Sequence, residues 1–337
     1  MNKVSVLGAG SWATALAVLL AKKGVQVNLW SRRQEQVEEL KAIRENQRYL
    51  PGITIPHQVT FFNDIAAALA GTQGVILGVP SHAVRETTAL LRPFLQEQQI
   101  LVNTAKGMEE GTTLRLSQVM AEELPASFAQ RIVVLSGPSH AEEVGKDIPT
   151  AIVAASSNKQ SALLTQDLFM TPKFRVYTNT DVIGVELGGS LKNVIALCCG
   201  ISDGLGFGDN TKAALMTRGL AEITRLGNTM GADPMTFLGL AGVGDLIVTC
   251  TSMHSRNRRA GIAIGQGKSL QQAMDSVQMV VEGVRTTKVA HKLASKLQVD
   301  MPITQQAYEV LFGGASPLEG VGRLMLRDKT HEQIAGC

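Results

Sequence analysis

The chain has 337 residues, of which 45% are hydrophobic and 18% are charged, so it has enough apolar surface for a sizeable core and too little charge for a disordered protein. The length favours two domains. A net charge of only +3 does not indicate a polyanion partner, and an aromatic content of 4% disfavours a protein that stacks on nucleic-acid bases.

The first half of the chain alternates short β-branched runs with helical patterns. Apolar strands that alternate with helices indicate a doubly wound, mostly parallel sheet covered on both faces, and we predict such an α/β domain over residues 1–180. The strands are predicted at 4–7, 25–30, 74–79, 100–103, 132–135, 150–155 and 174–177, and the helices at 12–23, 34–45, 82–95 and 113–123.

The pattern changes near Asp181, beyond which β-branched runs become sparse. Long helical periodicities take over at 182–201, 213–230 and 281–297. We therefore predict that residues 181–337 form a second domain, which is entirely α-helical.

A glycine-rich loop of the form G-x-G-x-x-A follows the first predicted strand and opens the first predicted helix. Gly8 permits a tight turn, Gly10 lets the backbone approach a pyrophosphate, and Ala13 allows close packing of helix on strand. Free N–H groups near Ser11 and Trp12 would bind phosphate oxygens. The loop indicates a dinucleotide site, and the alternative is a glycine-rich turn with a structural role only.

The second predicted strand ends at Ser31, Arg32 and Arg33, where an NAD-specific site usually has an acidic residue that binds the ribose 2′-hydroxyl. Guanidinium groups pair well with a phosphate dianion. We therefore predict that NADP(H) is accepted and preferred, with NAD(H) still usable. The alternative is a solvated pair of arginines that caps the next helix.

Polar residues follow two of the predicted strands, at the edge where an open α/β sheet places its ligand crevice. Lys106 follows the strand at 100–103, and Gly137 and Ser139 follow the strand at 132–135. We expect these residues to belong to a binding site.

Lys192 and Asn193 lie inside an otherwise apolar helical pattern. Burying a lysine is costly unless the amine has a function. Desolvation would lower the pKa of this amine towards neutrality, which suits a group that both donates and accepts a proton. The alternative is a lysine at the helix edge whose ammonium group reaches solvent.

Later segments carry further candidates. Asp245 is the one carboxylate in an apolar, glycine-rich stretch, where it is either a site residue or a helix N-cap. Ser255, Arg256 and Asn257 begin a basic cluster at a predicted helix start. Such a cluster suits a phosphate monoester, and the alternative is an exposed basic turn. Glu282 opens another helix, where the helix dipole alone would favour a carboxylate.

Taken together and in this order, the motifs closely resemble those of the bacterial-type NAD(P)-dependent glycerol-3-phosphate dehydrogenases. The resemblance covers nearly the whole chain. One departure is Ala13, where members of that family commonly have glycine. The matching stretches are GAGSWATALA at 8–17, NTAKGME at 103–109, LSGPSHAEE at 135–143, GVELGGSLKNVIAL at 184–197, GLAGVGDLIVTC at 239–250, SRNRR at 255–259, VVEGVRTT at 280–287 and MPIT at 301–304.

The resemblance implies a Rossmann domain followed by an α-helical domain of the 6-phosphogluconate-dehydrogenase type. It implies that dihydroxyacetone phosphate and sn-glycerol 3-phosphate are interconverted with NAD(P)H and NAD(P)+, and that the product feeds phospholipid synthesis. Lys192 would be the proton donor and acceptor, with Lys106 and Asp245 as catalytic neighbours that orient the substrate.

The resemblance also implies which residues bind each ligand. The substrate contacts would be Lys106, Gly137, Ser139, Lys192, Asn193, Asp245, Thr249, Ser255, Arg256 and Asn257. The cofactor contacts would be Gly8, Gly10, Ser11, Trp12, Arg32, Arg33, Lys106, Ala141, Arg256, Val280 and Glu282, with Tyr49 as an additional contact.

Two other functions are compatible with parts of the sequence. One is a related two-domain dehydrogenase that acts on a 3-hydroxy acid or a sugar acid. Such a substrate presents a carboxylate, so the cluster at 255–259 argues against it. The other is a non-catalytic protein that senses NADP(H), which would need the glycine loop but neither Lys192 nor Asp245.

The remaining expectations concern metals, location and assembly. Four cysteines lack metal-ligand spacing and the histidines are scattered, so we predict no metal site. Adjacent Cys198 and Cys199 suit buried thiols in a reduced cytoplasm better than a redox pair. The apolar run at 15–21 is too short to span a bilayer and no signal-peptide pattern precedes it, which predicts a cytoplasmic protein. A homodimer is the default for such enzymes.

Overall fold

A computed structural model of the chain describes residues 1–277 and 279–332. Two compact units are present. Met1–Ala105 and Leu116–Val182 form the first, called here the sheet unit, and Lys106–Arg115 with the described residues from Ile183 onward form the second, the helical unit. Cys337 lies outside the described residues.

The sheet unit contains an eight-stranded sheet and a short antiparallel ribbon of two strands. The strands are β1 (Lys3–Leu7), β2 (Gln26–Trp30), β3 (Glu45–Asn46), β4 (Leu50–Thr54), β5 (Val59–Phe62), β6 (Gly74–Leu77), β7 (Ile100–Asn103), β8 (Ile132–Ser136), β9 (Thr150–Ala155) and β10 (Phe174–Asn179). The sheet has the order β10-β9-β8-β7-β6-β1-β2-β5 and is parallel except between β8 and β9. The predicted mostly parallel sheet is confirmed.

Seven α-helices accompany this sheet in the described part of the chain. The sequence pattern predicted four of them, and it missed those at Ile65–Leu69, Ala141–Gly145 and Lys159–Phe169. The seven helices are α1 (Ser11–Lys22), α2 (Gln34–Ile43), α3 (Ile65–Leu69), α4 (Val84–Leu91), α5 (Leu116–Glu123), α6 (Ala141–Gly145) and α7 (Lys159–Phe169). Almost all residues of β1 and β6 are buried, as expected for strands in a sheet that is covered on both faces.

Three predicted helices are shorter than the sequence pattern suggests. The helix predicted at 82–95 is α-helical only over Val84–Leu91, with a 3-10 turn on each side, at Ser81–Ala83 and Arg92–Phe94. The helix predicted at 34–45 ends at Ile43, because Arg44 adopts a left-handed conformation with φ of 52°. The Arg44 side chain then donates to the carbonyls of Ile55 and Val59, at 3.0 Å each, which stabilises the turn into β3, β4 and β5. The helix predicted at 113–123 starts at Leu116, because Thr113 has a φ of 64°.

In the helical unit, the regular elements described from Ile183 to residue 332 are all helices, in agreement with the prediction of an α-helical second domain. The α-helices are α8 (Val182–Gly204), α9 (Asp209–Thr229), α10 (Asp245–Thr251), α11 (Arg256–Gly265), α12 (Leu270–Val277), α13 (Glu282–Leu297), α14 (Pro302–Phe312) and α15 (Pro317–Met325). A 3-10 helix at Pro234–Leu238 and a π-helical turn at Leu240–Gly244 lie between α9 and α10.

The helix α8 is the central core element of the helical unit. Its length and composition would suffice to cross a membrane, but 83% of its most apolar stretch is buried inside the protein. Burial of this kind is typical of a core helix. Leu187, Leu191 and Ile195 pack from α8 into the main apolar cluster of the unit.

Candidate active site

A buried lysine and a buried aspartate form the centre of the helical unit. Lys192, on α8, is 6% exposed and Asp245, at the start of α10, is 1% exposed. The Lys192 Nζ donates to Asp245 Oδ1 and, at 2.6 Å, to Thr249 Oγ1. Lys106 Nζ donates to the other carboxylate oxygen, Asp245 Oδ2, at 2.7 Å. Two ammonium groups therefore share one carboxylate.

The backbone before Asp245 makes this arrangement possible. Leu240–Gly244 forms a single π-helical turn, a feature that is rare and frequent at functional sites. A side chain at Gly188 of α8 would overlap the carbonyl of Ala241, so glycine lets the two backbones approach closely. Asp245 is the first residue of α10, and its carboxylate binds lysines. The N-cap position belongs to Gly244, so Asp245 is not the helix N-cap.

Burial changes the acid strength of the Lys192 amine. Desolvation lowers the pKa of Lys192 to about 7, and the positive charge of Lys106 acts in the same direction. The negative charge of Asp245 opposes both effects. Near neutral pH the amine can therefore both give and take a proton. With Lys192 protonated, two cations face one carboxylate, and the remaining positive charge suits an anionic ligand.

Side chains next to this centre tie three helices together. Asn257 Nδ2 donates to Asn193 Oδ1 at 2.8 Å, and Asn257 Oδ1 accepts from the Gly283 N–H at 2.8 Å. These bonds connect α8, α11 and the start of α13. Ser255 is the N-cap of α11 and accepts from the Arg258 N–H at 3.2 Å, which confirms the helix start predicted there.

The glycine loop in the sheet unit has the geometry of a dinucleotide cradle. Gly8 has a φ of +109°, and a Cβ there would lie 2.8 Å from the Gly78 carbonyl oxygen. A Cβ on Gly10 would meet nothing within 4 Å. The helix α1 begins at Ser11 and its N-terminus has no side-chain cap. This open, uncapped helix start fits a bound pyrophosphate.

Comparison with known proteins identifies the family. Residues 3–162 match the family model for the N-terminus of NAD-dependent glycerol-3-phosphate dehydrogenase, and residues 181–322 match the model for its C-terminus. The chain belongs to this family. The resemblance read from the motifs is thereby confirmed.

Individual relatives are similar over almost their whole length. A glycerol-3-phosphate dehydrogenase (NAD(P)+) from Pelotomaculum thermopropionicum is 63% identical over 331 residues, which are 98% of this chain and 95% of the relative. One from Desulfitobacterium hafniense is 60% identical over 332 residues, 98% of this chain and 93% of the relative. The crystal structure of glycerol-3-phosphate dehydrogenase from Coxiella burnetii is 41% identical, with a TM-score of 0.92 over 97% of this chain and 99% of that one.

For a dehydrogenase of this family, the residue at position 13 matters because it faces the sheet. A Cβ on Gly78 would lie 2.6 Å from the Cβ of Ala13. The methyl group of Ala13 therefore occupies the space beside a glycine, and close packing of α1 on the sheet is kept.

The structure brings Arg33 and Tyr49 together beside the glycine loop. Arg33 Nη2 donates to Gln36 Oε1 at 3.0 Å and to the Tyr49 hydroxyl at 3.2 Å. Ser11 Oγ donates to the Tyr49 carbonyl at 2.6 Å. Arg32 is exposed and lies 3.6 Å from a carboxylate oxygen of Glu86.

The other predicted residues lie in both units. In the sheet unit, Gly137 has a φ of +142°, and Ser139 Oγ donates to its carbonyl at 2.9 Å. Ala141 starts α6, and Trp12 packs against the core cluster. In the helical unit, Arg256 is the first residue of α11; Val280 and Glu282 lie just before and at the start of α13, as the sequence predicted for Glu282.

Sequence reasoning missed the side chains that hold the glycine loop in place. Gln36 Nε2 donates to the Ala9 carbonyl at 2.8 Å, and Asn46 Nδ2 donates to the same carbonyl at 2.9 Å. Asn46 also donates to Thr14 Oγ1 at 2.8 Å. Both amides are distant in sequence from the loop, so no local motif marks them.

Over residues 1–277 and 279–332, no group of three or more His, Cys, Asp or Glu side chains could hold a metal ion.

Proposed function

We propose that this protein catalyses the reversible reduction of dihydroxyacetone phosphate to sn-glycerol 3-phosphate with NAD(P)H. The observation that carries the proposal is the buried Lys192 amine, which is paired with Asp245 and has a pKa of about 7. The membership of the chain in the glycerol-3-phosphate dehydrogenase family supports the same reaction. The product supplies phospholipid synthesis.

Lys192 is the general acid and base of the proposed reaction. In reduction, its ammonium group donates a proton to the substrate carbonyl oxygen, and in oxidation the neutral amine takes the proton from the hydroxyl. A reduced nicotinamide cofactor held by the glycine loop would supply the hydride. The ketone gains one hydride and one proton, so it becomes a secondary alcohol. An ammonium group in a dry site also stabilises the oxyanion as charge develops on it.

The neighbours of Lys192 hold it ready for this role. Asp245 and Thr249 fix the ammonium group by hydrogen bonds. Lys106 binds the same carboxylate, and we assign it to orienting the substrate. We assign Asn193 to the same group of supporting residues, because its amide is fixed by Asn257.

We assign the substrate phosphate to the start of α11, where Arg256 supplies a guanidinium group and the helix presents N–H groups. Ser255 and Asn257 lie in the same segment, and Gly137 and Ser139 complete the proposed substrate contacts. Binding energy gained at the phosphate, away from the reacting carbon, contributes to positioning the carbonyl.

We assign cofactor binding to the glycine loop and its neighbours, and we propose a preference for NADPH over NADH. Arg32 and Arg33 carry the preference, because two guanidinium groups suit the 2′-phosphate. The proposed contacts are Gly8, Gly10, Ser11, Trp12, Arg32, Arg33, Tyr49, Lys106, Ala141, Arg256, Val280 and Glu282.

We further propose a homodimer in the cytoplasm, with residues 1–180 as the dinucleotide-binding domain and residues 181–337 as the substrate-binding domain. The mostly buried α8 supports a soluble protein, since its apolar surface is used in the core. Sedimentation of the purified chain tests the dimer.

The activity is tested by mixing the purified full chain with NADPH and dihydroxyacetone phosphate and following the absorbance of the reduced nicotinamide. We expect oxidation of NADPH that depends on the phosphorylated ketone. A 3-oxo acid of similar size is the control substrate and should give no signal. Absence of oxidation with dihydroxyacetone phosphate, or faster oxidation with the acid, would overturn the proposal.

A further inference from the structure

The short segment that carries Lys106 folds with the helical unit, although both flanking segments belong to the sheet unit. An isolated antiparallel bridge pairs Met108 with Arg115, and the Glu109 N–H donates to the Leu114 carbonyl at 3.0 Å. The left-handed Thr113 closes the turn. We call Lys106–Arg115 the hairpin segment.

Polar and apolar contacts fix the base of the hairpin segment to α8. Arg115 Nη1 lies 2.5 Å from Glu186 Oε2, with side chains that are 12% and 4% exposed. Ser190 Oγ donates to the Gly107 carbonyl at 3.0 Å. Met108 is buried in the same apolar cluster as residues of α8.

These contacts come from the same helix as the proposed proton donor. Glu186 and Ser190 are four residues apart, so they lie on one face of α8, and Lys192 follows within the next turn. One rigid helix thus holds Lys192 directly and holds Lys106 through the base of the hairpin segment. In these positions both ammonium groups reach the Asp245 carboxylate.

We propose that Glu186, Arg115 and Ser190 are positioning residues, which fix the hairpin segment so that the Lys106 ammonium group stays on Asp245 beside Lys192. This inference rests on the proposed function of Lys192. The ion pair is buried, and removing one charge of a buried pair is strongly destabilising. The hairpin segment would then shift, and Lys106 would move with it.

The tip of the hairpin segment provides a matched control. Glu110 lies 3.8 Å from Arg285 and 3.4 Å from Lys288, and these side chains are about half exposed. Exposed ion pairs of this kind contribute little to the stability of the fold. Glu110→Gln therefore removes the same type of charge from the same segment without touching its base.

The position of Lys106 affects the pKa of Lys192. The titratable groups that face the Lys192 amine are Asp245, Lys106 and the Cys250 thiol, and of these only Lys106 lowers the pKa of Lys192. If Lys106 moves away, the pKa of Lys192 rises. The alkaline limb of the reduction rate then moves to higher pH, which a role in folding alone would not produce.

The experiment measures kcat/KM for reduction against pH in Glu186→Gln, Ser190→Ala, Lys106→Met and the double variant Glu186→Gln/Lys106→Met. We expect Glu186→Gln to lower kcat/KM at least about tenfold, as misplacement of a catalytic neighbour does. It should also move the alkaline limb upward, and Ser190→Ala should do so to a smaller extent. The double variant should match Lys106→Met alone, and Glu110→Gln should match the wild type.

An unmoved alkaline limb in soluble Glu186→Gln and Ser190→Ala would overturn the inference, and so would a further shift in the double variant. If Glu186→Gln does not fold, Ser190→Ala decides, because it removes only one hydroxyl. If the wild type does not reduce dihydroxyacetone phosphate, the proposed function fails first. The pH dependence of Lys192 acylation by an amine-selective reagent then still tests the positioning, with the same shifts expected.

Discussion

Lys192 and Asp245 form an ion pair in which the side chains are only 7% and 1% exposed to solvent. Removing two charges from water has a large unfavourable free energy. The attraction between the charges offsets this desolvation energy only when further hydrogen bonds are made. Here Thr249 binds the ammonium group and Lys106 binds the carboxylate. A buried cluster of this kind is poor evidence for stability and good evidence for a chemical function.

Replacing Lys192 by alanine tests that function directly. We expect kcat for reduction to fall by about 10²- to 10⁴-fold, the usual contribution of a positioned general acid. The affinity for NADPH should be retained, because the glycine loop lies in the sheet unit and is not altered. Steady-state kinetics and NADPH fluorescence titration measure the two quantities. The exposed Lys296→Ala, in the same unit, is the control, and near-normal turnover of Lys192→Ala would contradict the role.

The lowered pKa of Lys192 predicts opposite pH profiles for the two directions. Reduction needs the protonated ammonium, so its rate should fall as the pH rises through about 7, and oxidation of glycerol 3-phosphate needs the neutral amine, so its rate should rise over the same interval. Rate measurements in both directions across this range test the prediction. Asp245→Asn removes the charge that raises the pKa of Lys192, so residual activity should show the reduction limb at lower pH. Profiles that run in the same direction would argue against a shared group.

Arg256 and Arg258 should respond differently to truncation, although both belong to the basic cluster. Arg258 Nε donates to Asp203 at 2.8 Å and Arg258 Nη1 donates to the Thr251 carbonyl at 2.6 Å, so its guanidinium group holds the fold. We expect Arg258→Ala to lower the melting temperature. Arg256→Ala should raise KM for dihydroxyacetone phosphate at least about tenfold through loss of a charge-assisted contact. An unchanged KM would remove Arg256 from the proposed phosphate site.

The preference for NADPH can be tested on Arg32 and Arg33. The double variant Arg32→Ala/Arg33→Ala should weaken NADPH binding by about tenfold or more and NADH binding much less, because only NADPH carries the 2′-phosphate. Kd values for both cofactors measure the effect. Arg48→Ala is the control, since its guanidinium group lies over the Tyr49 ring at 5.3 Å and is not among the proposed contacts. Equal losses for both cofactors would show that the pair does not bind the 2′-phosphate.

Periodicity and local motifs were sufficient to predict the sheet, the helical unit and the glycine loop. They were insufficient where long-range contacts decide the conformation. Residues 45–62 form β3, β4 and β5 because Arg44 ends α2 and binds carbonyls far along the chain. The hairpin segment lacks any regular pattern, and its position depends on Glu186, which is 71 residues from Arg115.

In the candidate site, too, local sequence patterns predicted some features and long-range contacts determine the others. The unusual burial of a lysine was predicted from the apolar residues around Lys192. Whether Asp245 caps a helix or binds a lysine could not be decided locally, because both outcomes place it at the start of α10. Contacts from Lys106, 139 residues away, and from α8 decide the question. Gln36 and Asn46 were missed for the same reason.

A last prediction concerns stability and rests on Glu222, a buried carboxylate in α9. Its Oε1 accepts from the Ile303 N–H at 2.5 Å, and its Oε2 accepts from the Thr304 N–H at 3.1 Å, at the start of α14. Burial nevertheless raises the pKa of Glu222 from the ordinary 4.5 to about 7, because desolvation outweighs these bonds. The folded protein therefore holds this proton more tightly than the unfolded chain between these two pH values.

It follows that Glu222 makes the folded state less stable as the pH rises from about 4.5 to about 7, since the unfolded chain binds fewer protons there. The glutamine side chain in Glu222→Gln is uncharged at every pH. Any loss of folding stability from its altered hydrogen bonds therefore does not depend on pH. The melting temperature of the variant relative to the wild type should therefore rise between about pH 5 and pH 8. Calorimetry at several pH values measures this difference, with the exposed Glu97→Gln as the control. A constant or falling difference for Glu222→Gln would show that the carboxylate is ionised throughout and stabilises α14 as an anion.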